Sequence, residues 1–230
     1  MFAAIDLAQI GLWILYISIP ILVIYFIYLL LTKAFNYMGF SSFEAIIIVF
    51  VSIIFYYDII IMGVSISNIY LFTYNNWIIG LNVGGALIPI LLSIYLTLKN
   101  KIKLKMILIG IILVSIISFL VTRVDVNRGI VSVFPYFLLP AISASIISII
   151  LLRKSFRKAA PLAYISGTIG VLIGADFFHL HELLSYPINT PINANIGGAN
   201  VFDMIYITGI LAVILDGILM FRQRSKEGID

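Results

Sequence analysis

The chain has 230 residues, of which 63% are hydrophobic and 10% charged, with no cysteine and a formal net charge of +4. A soluble domain carries roughly 25% charged residues to cover its surface. The composition therefore excludes a soluble globular fold, a disordered chain, a disulfide scaffold and a nucleic-acid-binding module. What remains is an all-α polytopic membrane protein, read as one integral membrane domain over residues 1–230.

A membrane helix needs about 20 apolar residues to cross a hydrocarbon core about 30 Å thick. Seven stretches qualify in chain order: 8–31, 44–66, 80–98, 104–122, 131–152, 159–179 and 203–221. Long unbroken runs such as residues 46–54 and 107–120 argue against a closed barrel, which would alternate. The first stretch has no basic residue before it and too long an apolar run for a signal core, so it is expected to stay in the mature protein.

Short loops rich in Lys and Arg face the cytoplasm. Twelve of the 14 basic residues fall on one side of the seven-segment plan: Lys33, Lys99, Lys101, Lys103, Lys105, Arg153, Lys154, Arg157, Lys158, Arg222, Arg224 and Lys226. Arg123 and Arg128 fall on the other. This predicts an outer N-terminus, a cytoplasmic C-terminus and placement in the plasma membrane. The lipid bilayer is then the first partner, and the basic belt meets anionic headgroups rather than nucleic acid.

The same plan gathers polar residues on the outer side. Asp58 falls in the outer half of the second segment and Asn82 at the start of the third. Asp125 falls in an outer loop, Asp176 and His179 at the end of the sixth segment, and His181 and Glu182 just after it. Asp203 opens the seventh segment, and Asp6 precedes the first. Asp216 is the exception, on the inner part of the seventh. An ionisable group in a membrane helix costs roughly 2.5–3.5 kcal/mol on insertion scales, which makes each a functional candidate. The plainer reading is that interfacial carboxylates reach water or pair with Arg123 or Arg128. Asp176 and His179 are three residues apart and share a helix face, which Glu182 extends if the helix continues.

Two pentapeptides nearly repeat: Asn82-Val83-Gly84-Gly85-Ala86 and Asn195-Ile196-Gly197-Gly198-Ala199. Each stands at or before an inward-running segment and follows an outward-running one that carries an Asp. This points to a parallel repeat of segments two–three and six–seven. Paired glycines let a backbone leave the helix or approach a neighbour closely. Asn82, Gly84, Gly85, Asn195, Gly197 and Gly198, with Asp58, are thus candidates to line a substrate or ion cavity. Close helix packing is an equally good reading. The stripe of Ala163, Gly167, Gly170 and Gly174 favours close packing too, within the bundle or between copies of the chain.

Three blocks carry a family resemblance. They are residues 80–93 (GLNVGGALIPILLS), residues 163–180 with Gly174-Ala175-Asp176 and His179-Leu180, and residues 196–213 with Phe202-Asp203. Together they resemble the prokaryotic membrane family catalogued as domain of unknown function 1614. The resemblance implies a multi-pass protein of archaea or bacteria and no established activity.

Three readings of function stay open. The first is a solute- or ion-handling protein, in which the glycine motifs break helices around a ligand and Asp58, Asp176 and Asp216 relay protons or cations. The second is a membrane-embedded hydrolase. It would work through a divalent metal on Asp176, His179, Asp203 and Glu182 or His181, or through Asp176 and Asp203 as a catalytic carboxylate pair. Tyr57-Asp58 and Gly174-Ala175-Asp176 resemble intramembrane aspartyl protease motifs faintly. The third is a structural or assembly subunit. The first ranks slightly above the second.

Overall fold

The computed structural model describes residues 7–125, 129–198 and 204–229. Its apolar runs form helices because a backbone in hydrocarbon must satisfy its own N–H and C=O groups. In chain order these are α1 (Leu7–Tyr37), α2 (Ser42–Tyr56), α3 (Ile88–Asn100), α4 (Leu104–Val121), α5 (Leu139–Leu152), α6 (Phe156–Val171), α7 (Phe178–Ser185), α8 (Met204–Leu219) and α9 (Phe221–Lys226). A π-helical turn, Val83–Leu87, leads into α3, and another, Leu172–Phe177, joins α6 to α7. Among the described residues four continuous helices are long and apolar enough to cross a membrane: Gly11–Tyr37, Val83–Asn100, Leu104–Val121 and Phe156–Ser185. Ser42–Tyr56, Tyr136–Leu152 and Met204–Leu219 are apolar but shorter. The chain is a helical membrane protein. Each of the seven sequence segments holds a helix, and four reach spanning length among the described residues.

The described residues are mostly helical, as expected, with short strands added. Among the described residues seven short strands cap one end: β1 (Ile60–Ile61), β2 (Val64–Ser65), β3 (Asn68–Tyr74), β4 (Trp77–Asn82), β5 (Thr122–Asp125), β6 (Gly129–Ser132) and β7 (Ile192–Ile196). The second segment was expected to run as helix to residue 66, but α2 stops at Tyr56 and Tyr57 is extended. Two tight hairpins follow. Met62 and Gly63 take positive φ between β1 and β2, and Asn75 and Asn76 do so between β3 and β4. Two consecutive positive-φ residues make the turn whose twist matches paired strands. The helix leading into α3 accordingly starts at Val83, after β4, rather than at residue 80. Likewise the fifth segment begins with β6, and α5 starts at Leu139 rather than residue 131. β7 joins β4 in parallel, pairing Gly80 with Asn195 and Leu81 with Ile196. This brings the two glycine motifs side by side.

α6 is the central helix, packed by α3, α4, α5 and α8. Its small-residue stripe serves that packing: Gly170 faces Val114, Gly174 faces the Ser115 backbone, and Gly167 faces Thr208. α1 behaves differently. Its far end is bare on every side (Trp13 is 70% exposed, Tyr16 80%), and exposure falls to 37% at Leu30 before Ala34 and Phe35 are fully buried. The helix therefore leans into the bundle only over its last turns.

The opposite end from the strands is basic. Lys99 Nζ donates to the carbonyl of Gly39 at 2.8 Å, and Gln223 Nε2 donates to the carbonyl of Lys154 at 2.9 Å. Arg224 donates to the Tyr37 hydroxyl and stacks over its ring. Glu227 caps α6, accepting from the backbone N–H groups of Phe156 and Arg157 at 2.9 Å each. Partial burial pushes the Glu227 carboxyl up, but hydrogen bonds from Gln223 and these two N–H groups outweigh it and hold it below the usual range.

Candidate functional site

The glycine motifs meet at the strand-capped end. β4 ends at Asn82, which is 2% exposed. Its Oδ1 accepts from Gly85 N at 2.7 Å, and its Nδ2 donates to Asn68 Oδ1 at 2.9 Å and to the Tyr56 carbonyl at 3.2 Å. Asn82 thus fixes the π turn to the end of α2. Gly85 and Gly197 then touch backbone to backbone: a Cβ on Gly85 would lie 1.8 Å from the Gly197 carbonyl oxygen. Gly84 sits equally close to α2, where a Cβ would meet the Ser52 carbonyl at 2.2 Å. Gly197 also has φ +73°, a backbone that a side chain strains. Asn195 turns its carbonyl to Gly198 N at 3.0 Å, and Tyr56 donates its hydroxyl to the Gly198 carbonyl at 3.0 Å. Asp176, in the second π turn, accepts from Gly197 N at 2.8 Å through Oδ2. Six of the residues singled out by sequence therefore form one knot: Asn82, Gly84, Gly85, Asp176, Gly197 and Gly198.

His179 turns to other partners. Its ring is 5% exposed and stacks on Phe119 with centroids 4.6 Å apart. Nδ1 lies 3.1 Å from Glu182 Oε2 and Nε2 lies 3.3 Å from the Phe119 carbonyl. The helix does continue to Glu182, so that pair meets as its spacing implies. The π turn ends at Phe177, between Asp176 and His179, and each of the two is held by its own partners. Among the described residues no three His, Asp or Glu side chains group as a metal ion would need. Asp6, Arg128 and Asp203 lie outside the described residues.

Asp58 is not a helix residue. It lies beyond α2 on an exposed turn, accepting from the Ser65 hydroxyl and from Asn68 Nδ2 at 3.1 Å. A short carboxylate followed by two hairpins staples the strands locally, which is a role the seven-helix plan hid.

Asp216 is a fully buried carboxyl. It is 0% exposed on α8, and Ser145 and Ser148 of α5, also 0% exposed, face it. Ser145 Oγ donates to Oδ1 at 2.7 Å. Ser148 Oγ has three oxygens at 2.8 Å: Asp216 Oδ1, Asp216 Oδ2 and the Ser145 carbonyl. Among the described residues no Lys, Arg or His pairs with this carboxyl. Sequence reading had Asp216 but missed the serines. Their signal was a spacing of three within an Ile-rich helix, which puts two hydroxyls on one face.

A family model described as a protein of unknown function (DUF1614) matches residues 57–215. No curated protein and no solved structure matches the chain.

Proposed function

Since the chain belongs to the DUF1614 family of proteins of unknown function, we propose that it handles an ion or solute in the membrane and binds a proton or a small monovalent cation at Asp216. The observation that carries this reading is the oxygen count around Ser148. One hydroxyl has one proton, yet three oxygens lie at 2.8 Å from it. With an ionised, ion-free carboxylate, that proton serves either the carboxylate or the Ser145 carbonyl, and the other contact sets lone pair against lone pair. A proton on the carboxyl, or a cation among these oxygens, supplies the missing positive charge. A carboxylate buried away from water without a counter-charge is otherwise costly. The Ser145 carbonyl and the two hydroxyls complete a compact oxygen set of the kind hard cations take.

The site lies one helical turn from the end of α8, close to the basic end of the molecule. We place that end in the cytoplasm of a plasma-membrane protein, following the loop charges. The glycine knot at the other end then closes the outer mouth. Its Asp176 holds the chain just after β7 through Gly197 N, a structural use that supports an ion-handling role over hydrolysis.

Carbodiimide labelling tests the proposal, because dicyclohexylcarbodiimide modifies protonated carboxyls in apolar surroundings. The purified protein is expected to label at Asp216, and Asp216→Asn to lose that label. Protection by sodium would identify a cation site, and protection only by raised pH a proton site. Absence of label at Asp216 in the folded protein at every pH, with labelling after unfolding, would overturn the proposal.

A further inference from the structure

A second site stands apart from Asp216. Between α1, α2 and α8 lies a cavity of about 310 Å³. That is at the small end of the range for ligand pockets, roughly 300–1,000 Å³. Its walls are almost wholly hydrocarbon, with Leu30 and Leu31 of α1, Ile53 of α2, and Ile210 and Ile214 of α8. Gly84 and Gly85 of the knot also reach it. The cavity sits where α1 parts from the bundle, between the bare far end of that helix and its buried last turns. The gap between diverging helices faces the bilayer, which supplies hydrocarbon chains rather than water. An apolar cavity of this kind stays dry and takes apolar ligands.

One polar feature gives the ligand its chemistry. Tyr206 donates its hydroxyl to Ser52 Oγ at 2.9 Å, and both residues line the cavity. Ser52 is 4% exposed. Two hydroxyls share one hydrogen bond, so the pair keeps one proton with no acceptor among the described residues, whichever oxygen donates. A buried unused donor costs free energy unless a partner arrives. A neutral lipid chain carrying one acceptor oxygen supplies both the hydrocarbon and the partner.

We infer that this cavity binds a single hydrocarbon chain of a neutral membrane lipid, with an ester or ketone oxygen accepting from the Ser52–Tyr206 pair. The site is independent of Asp216, so Asp216→Asn leaves it intact.

Photolabelling in detergent tests this with two probes, a monoacylglycerol with a diazirine at its chain end and a plain alkane with the same group. The full chain is expected to label on α1, α2 and α8 with the monoacylglycerol, and excess unlabelled monoolein is expected to compete. Ile53→Trp and Ile210→Trp fill the cavity from two walls, and each abolishes that labelling. Ser52→Ala weakens monoacylglycerol binding by about 3- to 10-fold, the range for one lost hydrogen bond, and leaves the alkane unchanged. Labelling spread evenly over lipid-facing residues such as Leu113 and Leu120, without competition, would overturn the inference. So would tryptophan variants that fold and label like the native chain, and equal sensitivity of both probes to Ser52→Ala would remove the oxygen contact.

Discussion

Replacing Gly85 by alanine tests the glycine knot most sharply. The added Cβ would lie 1.8 Å from the Gly197 carbonyl oxygen and 2.9 Å from its carbon. Both are backbone atoms, so no side-chain rotation relieves the contact. Either the π turn or the β7 end must shift, which breaks the 2.7 Å bond from Gly85 N to Asn82 or the 2.8 Å bond from Gly197 N to Asp176. Overpacking costs about 1–3 kcal/mol where side chains adjust, so a clash with fixed backbone sits at about 3 kcal/mol or above. For a chain of this length that is a fall in Tm of roughly 6–12 °C. The control is Gly11→Ala, where a Cβ meets nothing within 4 Å. That variant is expected to melt as the native chain does, or slightly higher, because alanine favours helix by about 1 kcal/mol. Trp77, 3% exposed on β4 beside the knot, reports unfolding by fluorescence. If Gly85→Ala melts with Gly11→Ala, the two motifs do not touch and the site as described is wrong.

Asp176→Asn exchanges a charge-assisted hydrogen bond to Gly197 N for a neutral one, and the Gly197 amide is expected to exchange with deuterium about tenfold faster, equivalent to about 1.4 kcal/mol of lost local stability; an unchanged rate would contradict the anchoring role. Glu227→Gln is expected to cost about 1 kcal/mol at neutral pH by weakening the cap on α6. Because the folded Glu227 carboxyl is held below its usual value, its contribution is present above the ordinary carboxylate range and is lost as pH falls through the lower folded value. Melting curves of the two proteins should therefore converge in acid, and a gap that persists there would refute the cap. The native chain has no cysteine, so Lys101→Cys and Asn193→Cys report topology directly. An impermeant maleimide added to intact cells is expected to reach Asn193→Cys and not Lys101→Cys, and the reverse pattern would invert the orientation.

The helices were legible where apolar length alone decides them. α4 occupies residues 104–121 against an expected 104–122, because nothing in that run offers the backbone an alternative. The strands were less so, since a buried apolar run reads alike as helix or strand until its turns are weighed. Tyr74-Asn75-Asn76-Trp77 carried that signal: two asparagines tolerate positive φ and turn the chain back. Asp58 follows the same logic: the apolar run around it reads as helix, but α2 stops at Tyr56 and the hairpins begin. The glycine motifs were recognisable as a pair, but their contact depends on β4 pairing with β7 across more than 100 residues of sequence, which local reading does not see. Asp216 stood out as a lone inner charge, whereas its serines come from another helix and gain meaning only once α5 and α8 pack.

Infrared difference spectroscopy of the purified chain addresses the Asp216 site most directly. In sodium-free buffer near neutral pH, the native protein is expected to show the carbonyl stretch of a protonated carboxylic acid that Asp216→Asn lacks. Added sodium should convert that band to carboxylate if the site takes the cation. An ionised Asp216 in sodium-free buffer, unaltered by pH or sodium, would contradict the account of a proton or cation held between α5 and α8.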